Sequence, residues 1–143
     1  MTRPGATYVI IQFIGIAVLL YSTVFHVLSW ATIVQLTATV LAIWAGWELN
    51  KSRLSVFPEL KDGAQLINTG PYRIIRHPMY AALILFFIPT VLSAKGLIVV
   101  LVFLGLLTTL IFKMKYEEKI LKRNFAEYEK YAQKSFYLIP FVY

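Results

Sequence analysis

The chain has 143 residues, no cysteine, a hydrophobic fraction of 59% and a formal net charge of +7. Its length is that of one domain, and its mean hydropathy of +0.68 is far above that of soluble proteins, which indicates a membrane protein. The lack of cysteine excludes disulfides, thiolate zinc sites and cysteine nucleophiles. Because the charges cluster beside apolar segments, membrane topology and anionic lipid headgroups explain the net charge better than nucleic acid does.

Four apolar runs predict membrane-spanning helices, at residues 8–28, 30–49, 79–94 and 96–112. The first run has 21 residues without a formal charge, which at about 1.5 Å per residue spans the ~30 Å hydrocarbon core. The connections within each pair are short, so each pair should form an antiparallel hairpin. The expected fold is an all-α membrane protein with four transmembrane helices in two hairpins, folded as one domain over residues 1–143.

Two polar regions accompany these runs. Residues 50–77 form the one long polar connection. From Lys113 onward, aromatic and aliphatic residues recur at spacings near three and four, with Lys and Glu between them. This pattern predicts a cytosolic amphipathic C-terminal helix at about 116–134, either continuing the fourth span or hinged to it. The apolar tail, residues 136–143, should pack back onto the bundle or the membrane interface.

The basic residues predict the orientation in the membrane. Thirteen of the fourteen lysines and arginines fall on one side of the four spans, and only Lys95 falls on the other. The positive-inside rule then places both termini in the cytosol. The expected location is the plasma (inner) membrane of a prokaryote. The thirteen are Arg3, Lys51, Arg53, Lys61, Arg73, Arg76, Lys113, Lys115, Lys119, Lys122, Arg123, Lys130 and Lys134.

The densest polar stretch is GPYRIIRHPMY, residues 70–80, directly before the third run. Pro78 suits the first position of a helix, which places His77 near the N-cap. The free N–H groups and positive dipole end of that helix favour a carboxylate or phosphate, and Arg76 adds donors for bidentate carboxylate binding. The alternative is a solvated loop whose basic residues only reflect the positive-inside rule, with His77 as a plain helix cap. We interpret Arg73 in that way, as a topology signal.

A second polar pair, Glu117-Glu118, lies where the fourth helix leaves the membrane on the same side. Adjacent side chains on a helix point about 100° apart, so at least one carboxylate can face the bundle. There it could accept hydrogen bonds from ribose hydroxyls or an ammonium group. Tyr72, Tyr80 and Tyr116 could offer aromatic faces to a cation such as a sulfonium. A solvated face among lysines is the alternative for the two glutamates.

Together these segments resemble a known superfamily. Gly70-Pro71-Tyr72, Arg76-His77-Pro78-x-Tyr80, Glu117-Glu118-x-x-Leu121-x-x-x-Phe125 and the terminal Ile139-Pro140 are similar to the isoprenylcysteine carboxyl methyltransferases and phospholipid methyltransferases. The similarity covers roughly residues 66–140. Glycine often follows the motif tyrosine in that superfamily, where this chain has Ala81-Ala82, and the usual Phe-Gly pair is Phe125-Ala126.

The resemblance implies an integral membrane enzyme that binds S-adenosylmethionine at the cytosolic face and methylates a lipophilic acceptor that enters between helices. That acceptor would be an isoprenylcysteine-like carboxylate, a phospholipid amine or a small hydrophobic thiol. Arg76 would position substrate or cofactor. The residues that the resemblance implies for cofactor binding are Tyr72, His77, Pro78, Tyr80, Glu117 and Glu118.

Three other functions agree less well with the sequence than a methyltransferase does. A non-enzymatic four-helix scaffold or accessory subunit would leave the dense stretch unexplained. A small transporter usually carries an ionisable residue well inside a span, and none of the four runs has a central charge. A membrane reductase that uses a nicotinamide cofactor is disfavoured because the chain is short and has no dinucleotide fingerprint.

Overall fold

The structure is a computed structural model that describes residues 3–23, 29–51, 65–94 and 96–140. Within these ranges it is all-helical, with one isolated bridging pair and no strand, which confirms the predicted class. Lys95, the predicted end of the first span and most of the long polar connection lie outside the described residues. The helices are α1 (Arg3–Tyr21), α2 (Trp30–Lys51), α3 (Pro78–Leu92), α4 (Leu97–Asn124) and α5 (Tyr128–Ala132), with a 3-10 helix at Gly70–Arg73.

Helix α1 packs against α4. The buried residues of α4 include Phe103, Leu106 and Leu110, at the spacings of three and four that line one helix face. Gly15 of α1 lies so close that a β-carbon there would be 3.7 Å from Leu106. A small residue thus lets the two helices approach closely, which is the usual way that apolar helices pack where lipid offers no hydrophobic driving force.

Helix α2 packs against α3 along a stripe of small residues. Ala31, Ala38 and Ala45 recur every seven residues and are at most 7% exposed, and Gln35 lies on the same buried face. Ala82 of α3 is also buried. The seven-residue spacing keeps one face toward the partner over the length of the helix.

The prediction of two packed hairpins is therefore wrong in its choice of packing partners. The two most extensive contacts join α1 to α4 and α2 to α3, and the contact of α3 with α4 is smaller. The short connections make sequential helices neighbours in the chain, but packing depends on which faces carry small and complementary side chains. Helix α2 presents such a face to α3, and helix α4 presents one to α1.

Two predicted helix boundaries also differ. Helix α1 begins at Arg3 instead of residue 8 and ends at Tyr21, where the Ser22 and Thr23 hydroxyls donate to the carbonyls of Val18 and Leu19. The predicted end of the first span at residue 28 lies outside the described residues. Helix α4 continues without a break to Asn124, so the predicted helix at 116–134 is divided. Its first part belongs to α4 and its last part forms α5, with Phe125 in an extended conformation between them.

The outer surface of the helices is apolar. On α2, for example, Ile33, Leu36, Val40 and Ile43 are each between 61% and 66% exposed. A continuous apolar surface of this kind suits lipid better than water. Helices α2 and α4 are long and apolar enough to cross a membrane, while Gly5–Tyr21 and Pro78–Leu92 are shorter apolar helices.

The 3-10 helix before α3 is anchored on the end of α2. Gly70 has a φ of +56°, and a β-carbon there would lie 2.7 Å from Cγ of Glu48 and 3.1 Å from the indole nitrogen of Trp44. The Thr69 hydroxyl donates to Glu48 at 2.7 Å, and Lys51 donates to the same carboxylate at 2.8 Å. Gly70 is therefore required by its conformation and by the close approach of α2.

We expect Gly70→Ala to destabilise the protein by about 1–2 kcal/mol, because a β-carbon is strained at positive φ and collides with Glu48. Denaturation in detergent micelles would measure the change. Gly46→Ala on α2 is the matched control: a β-carbon at Gly46 would have no neighbouring atom within 4 Å, so this substitution should be neutral or stabilise by about 0.5–1 kcal/mol. Equal effects of the two substitutions would contradict the anchoring role of Gly70.

Candidate functional site

The stretch at residues 70–80 turns into α3 as predicted. Pro78 is the first residue of α3 and His77 is its N-cap residue, which confirms the expected helix start. The His77 side chain makes no capping hydrogen bond, however, and only 6% of the residue is exposed. The imidazole is therefore buried against other side chains, and the alternative of a plain helix cap does not describe it. Arg73, assigned to topology, is exposed.

Both glutamates of α4 face this stretch. The Tyr80 hydroxyl donates a 2.6 Å hydrogen bond to Oε1 of Glu117. Nε of Arg76 lies 2.9 Å from Oε1 of Glu118, and each side chain of this ion pair is 16% exposed. The adjacent carboxylates thus point to two different partners, one on α3 and one just before it. An ion pair this shielded from water is stronger than an exposed one, provided that both partners are present.

His77 lies between the two carboxylates. Its Nδ1 is 3.9 Å from Oε2 of Glu117, and its Nε2 is 3.6 Å from Oε1 of Glu118. Both distances are too long for hydrogen bonds. The ring stacks on Tyr80, with centroids 5.6 Å apart. Within the described part of the chain, Nε2 is buried and makes no hydrogen bond, so the imidazole lies against both carboxylates without bonding to either.

The C-terminal tail forms a third wall of the site. The backbone N–H of Phe136 donates to the carbonyl of Ile74, and the N–H of Arg76 donates to the carbonyl of Phe136, both at 2.8 Å. Nη1 of Arg76 donates to the carbonyl of Ala132, also at 2.8 Å. Its guanidinium lies 5.0 Å from the ring centroid of Tyr137, a cation–π contact. The predicted return of the tail onto the bundle is confirmed for Phe136 and Tyr137, while Ile139 and Pro140 are exposed.

These three walls border an open cavity of about 480 Å³, within the range of roughly 300–1,000 Å³ that small-molecule sites occupy. Of the predicted site residues, Arg76 and Glu118 line it. His77, Tyr80 and Glu117 form a buried layer that contacts the cavity wall through Glu118 and Arg76. The lining residues are Arg76, Lys115, Glu118, Ala132, Ser135, Phe136 and Tyr137.

Tyr72 supports the site from the side of α2. It is 8% exposed and packs with Ala45 and Ile67. Its backbone carbonyl accepts a 2.7 Å hydrogen bond from the Tyr131 hydroxyl, which ties α5 to the 3-10 helix. Burial raises the pKa of Tyr72, and burial raises the pKa of Tyr131 to about 12. Both phenols therefore stay protonated near neutral pH, and that of Tyr131 acts as a hydrogen-bond donor.

Tyr128, which the sequence analysis did not single out, lies beside a site residue. It is 1% exposed, and burial and then the charge of Glu118 raise the pKa of its phenol far above the usual value. This tyrosine is a neutral neighbour of the carboxylate. Tyr116, considered as an aromatic face for a cation, instead pairs with Tyr8 of α1, with centroids 6.1 Å apart.

Sequence reasoning missed a buried polar pair next to the site. Lys113 was counted among the cytosolic basic residues, yet it is fully buried, and its Nζ donates to Oε1 of Gln12 at 2.9 Å. Nζ lies 5.3 Å from the ring centroid of Tyr80. One signal could have revealed the pair: Lys113 is four residues before Glu117 and thus on the same helix face, while Gln12 is an isolated amide in an apolar run.

Comparison with known proteins agrees with this arrangement. The sequence profile of the phospholipid methyltransferase family matches residues 27–128. No curated protein matches the chain at a significant level. The matched region includes residues 70–80 and both glutamates of α4, and it omits α1, all but the first residue of α5 and the whole C-terminal tail. Because the match spans more than two thirds of the sequence, the chain belongs to the phospholipid methyltransferase family.

Proposed function

We propose that the protein transfers a methyl group from S-adenosylmethionine to a lipophilic acceptor at the cytosolic face of a membrane. The observation that carries this proposal is the meeting of the residue 70–80 stretch with Glu117-Glu118 beside a cavity of about 480 Å³. Membership in the phospholipid methyltransferase family supports the reaction class.

The residues around the cavity fit such a cofactor. Glu118 offers carboxylate oxygens to hydroxyl or ammonium groups, and Arg76 offers donors to a carboxylate. His77 supports this wall from the buried layer, with its Nε2 3.6 Å from Oε1 of Glu118. Tyr137 adds an aromatic face at the cavity wall, which favours a cation. The bound cofactor supplies an electrophilic methyl group on a sulfonium.

The two glutamates take different roles in this proposal. Glu118 lines the cavity and would contact the cofactor directly, while Glu117 is bonded to Tyr80 in the buried layer. In this proposal, Glu117, Tyr80 and Pro78 lie behind the lining residues and hold them in position. Tyr72 supports the 3-10 helix by accepting the bond from α5. The proposal thus assigns the direct contact to Glu118, where the sequence treats the two carboxylates as equivalent.

The protein's contribution to methyl transfer would be positioning and the exclusion of water. Tyr72, Tyr128 and Tyr131 have raised pKa values, so none of these phenols is suited to act as a general base near neutral pH. A carboxylate acceptor is already nucleophilic, whereas an amine or thiol must first lose its proton. The family name favours a phospholipid amine, and an isoprenylcysteine-like carboxylate and a small hydrophobic thiol remain as alternatives.

The proposal includes a four-span topology with both termini in the cytosol. Helices α2 and α4 are long enough to cross, and α1 and α3 are shorter apolar helices that pack against them. The shorter helices suit a bilayer that is locally thinned or helices whose ends are covered by the polar segments. The prokaryotic plasma membrane is the proposed location.

We expect the purified protein to bind S-adenosylmethionine, and His77→Ala and Glu118→Gln to weaken binding at least tenfold. A hydrogen bond to a charged group contributes about 1.5–3 kcal/mol, which corresponds to a factor of ten or more. Titration calorimetry in detergent would measure the affinities. Glu129→Gln, at an exposed glutamate of α5, is the matched control and should bind within about twofold of wild type. No heat from wild type, or wild-type affinity in both site variants, would refute the cofactor assignment.

We expect membranes containing the protein to incorporate radiolabel from S-[methyl-³H]adenosylmethionine into the lipid-extractable fraction. Chromatography of the extract would identify the acceptor as a phospholipid, a prenylated species or a small thiol. Membranes with Arg76→Met should incorporate much less label, because the cavity loses its cationic wall. Label at the level of membranes without the protein would contradict methyl transfer to a lipophilic acceptor.

The topology is testable with single cysteines, because the chain has none of its own. We expect Ser93→Cys, at the exposed end of α3, to react with a membrane-impermeant maleimide in intact spheroplasts. Lys119→Cys, exposed on α4, should react only after permeabilisation. Both residues lie at the ends of helices on opposite sides of the proposed membrane. Equal labelling of the two cysteines in intact spheroplasts would exclude the proposed orientation.

A further inference from the structure

The buried pair of Gln12 and Lys113 is not used by the proposed function. Lys113 lies on α4 between Leu110 and Met114, and all three are at most 1% exposed. Lysine is almost never fully buried unless it is paired, and removing an ammonium group from water costs several kcal/mol even after relaxation. A lysine that only marked the cytosolic side would extend into the solvent, as long basic side chains do at membrane surfaces.

The closest partner of Lys113 does not neutralise its charge. Nζ is 2.9 Å from Oε1 of Gln12, which is a neutral amide oxygen. The same Nζ lies 5.3 Å from the ring centroid of Tyr80. An amide and an aromatic face can solvate an ammonium group, but neither cancels its charge. The field of the ammonium group therefore reaches the nearest acidic group of the buried layer.

That acidic group is Glu117. It follows Lys113 by one turn on the same face of α4, and its Oε1 accepts the hydrogen bond from Tyr80. The Tyr80 side chain thus touches the lysine with its ring and the glutamate with its hydroxyl. Glu117 in turn lies 3.9 Å from His77, whose ring stacks on Tyr80. The ammonium group of Lys113 is therefore adjacent to the buried layer of Tyr80, Glu117 and His77 that supports the cavity.

We propose that Lys113, held by Gln12, is a positioning residue: its buried positive charge balances that of Glu117 and keeps the layer of Tyr80, Glu117 and His77 in its binding geometry. The inference rests on the proposed function, and it assigns a part in the site to α1. Helix α1 lies outside the residues matched by the family profile, yet it supplies the atom that holds the ammonium group in place.

The test replaces the pair with apolar residues of similar shape, Gln12→Leu together with Lys113→Met. Replacing both partners avoids an unpaired buried polar group, so stability should be unchanged or increased. We expect the affinity for S-adenosylmethionine to fall about tenfold without a lower melting temperature. In a Glu117→Gln background the same replacement should cause no further loss, because the charge to be balanced is gone. Lys119→Met removes an exposed charge from the same helix and should bind within about twofold of wild type.

A second variant, Gln12→Glu, keeps Lys113 and supplies it with a carboxylate partner of the same size. We expect several-fold weaker binding, because the lysine's charge is then neutralised by its new partner. If the apolar pair does not fold, Gln12→Glu is the test of the proposal, and wild-type affinity in this variant would overturn it. Wild-type affinity in a folded apolar pair, or an equal loss with and without Glu117, would also overturn it. If wild type itself binds no S-adenosylmethionine, the proposed function fails, and this inference with it.

Discussion

The contact between the end of α4 and the start of α3 is the interaction on which the rest of the structure depends. Glu117 and Glu118 are largely buried, and a buried carboxylate is tolerated only with a partner. Tyr80 and Arg76 supply those partners from two points four residues apart on the facing segment. These contacts satisfy the charges and also bring the two polar segments together. The same interactions therefore form the site and pack this end of the bundle.

The segment that carries Arg76 and His77 is held from three directions, and this makes it rigid enough to form a site. Helix α2 anchors its beginning at Gly70, α4 binds its side chains, and the tail pairs with its backbone. Such support reduces the ordering that a ligand must cause when it binds. The segment from Ala132 to Tyr137 contributes four of the seven residues that line the cavity, so it is as much part of the site as the two polar segments.

The polar groups of the protein are distributed unevenly along the helices. The outward faces of α1, of α2 and of α4 up to Phe112 are mainly apolar, whereas the charged side chains of the site meet at one end. In the proposed function, that division separates the surface that faces lipid from the region that binds the polar methyl donor. Lys113 lies at the boundary between the two, buried against α1 and Tyr80.

The sequence by itself determined the helical class, the start of α3 at Pro78 and the two polar segments of the site, because apolar run length, proline geometry and residue pattern are local properties. Only the tertiary structure decided that α1 packs on α4 and α2 on α3, since helix pairing depends on the fit of whole faces. It also decided that both glutamates point inward, that Tyr137 and Ser135 line the cavity, and that Lys113 is buried against Gln12. Each of these joins residues far apart in the chain, where the direction of a side chain follows from the packing of its helix and not from its neighbours in sequence.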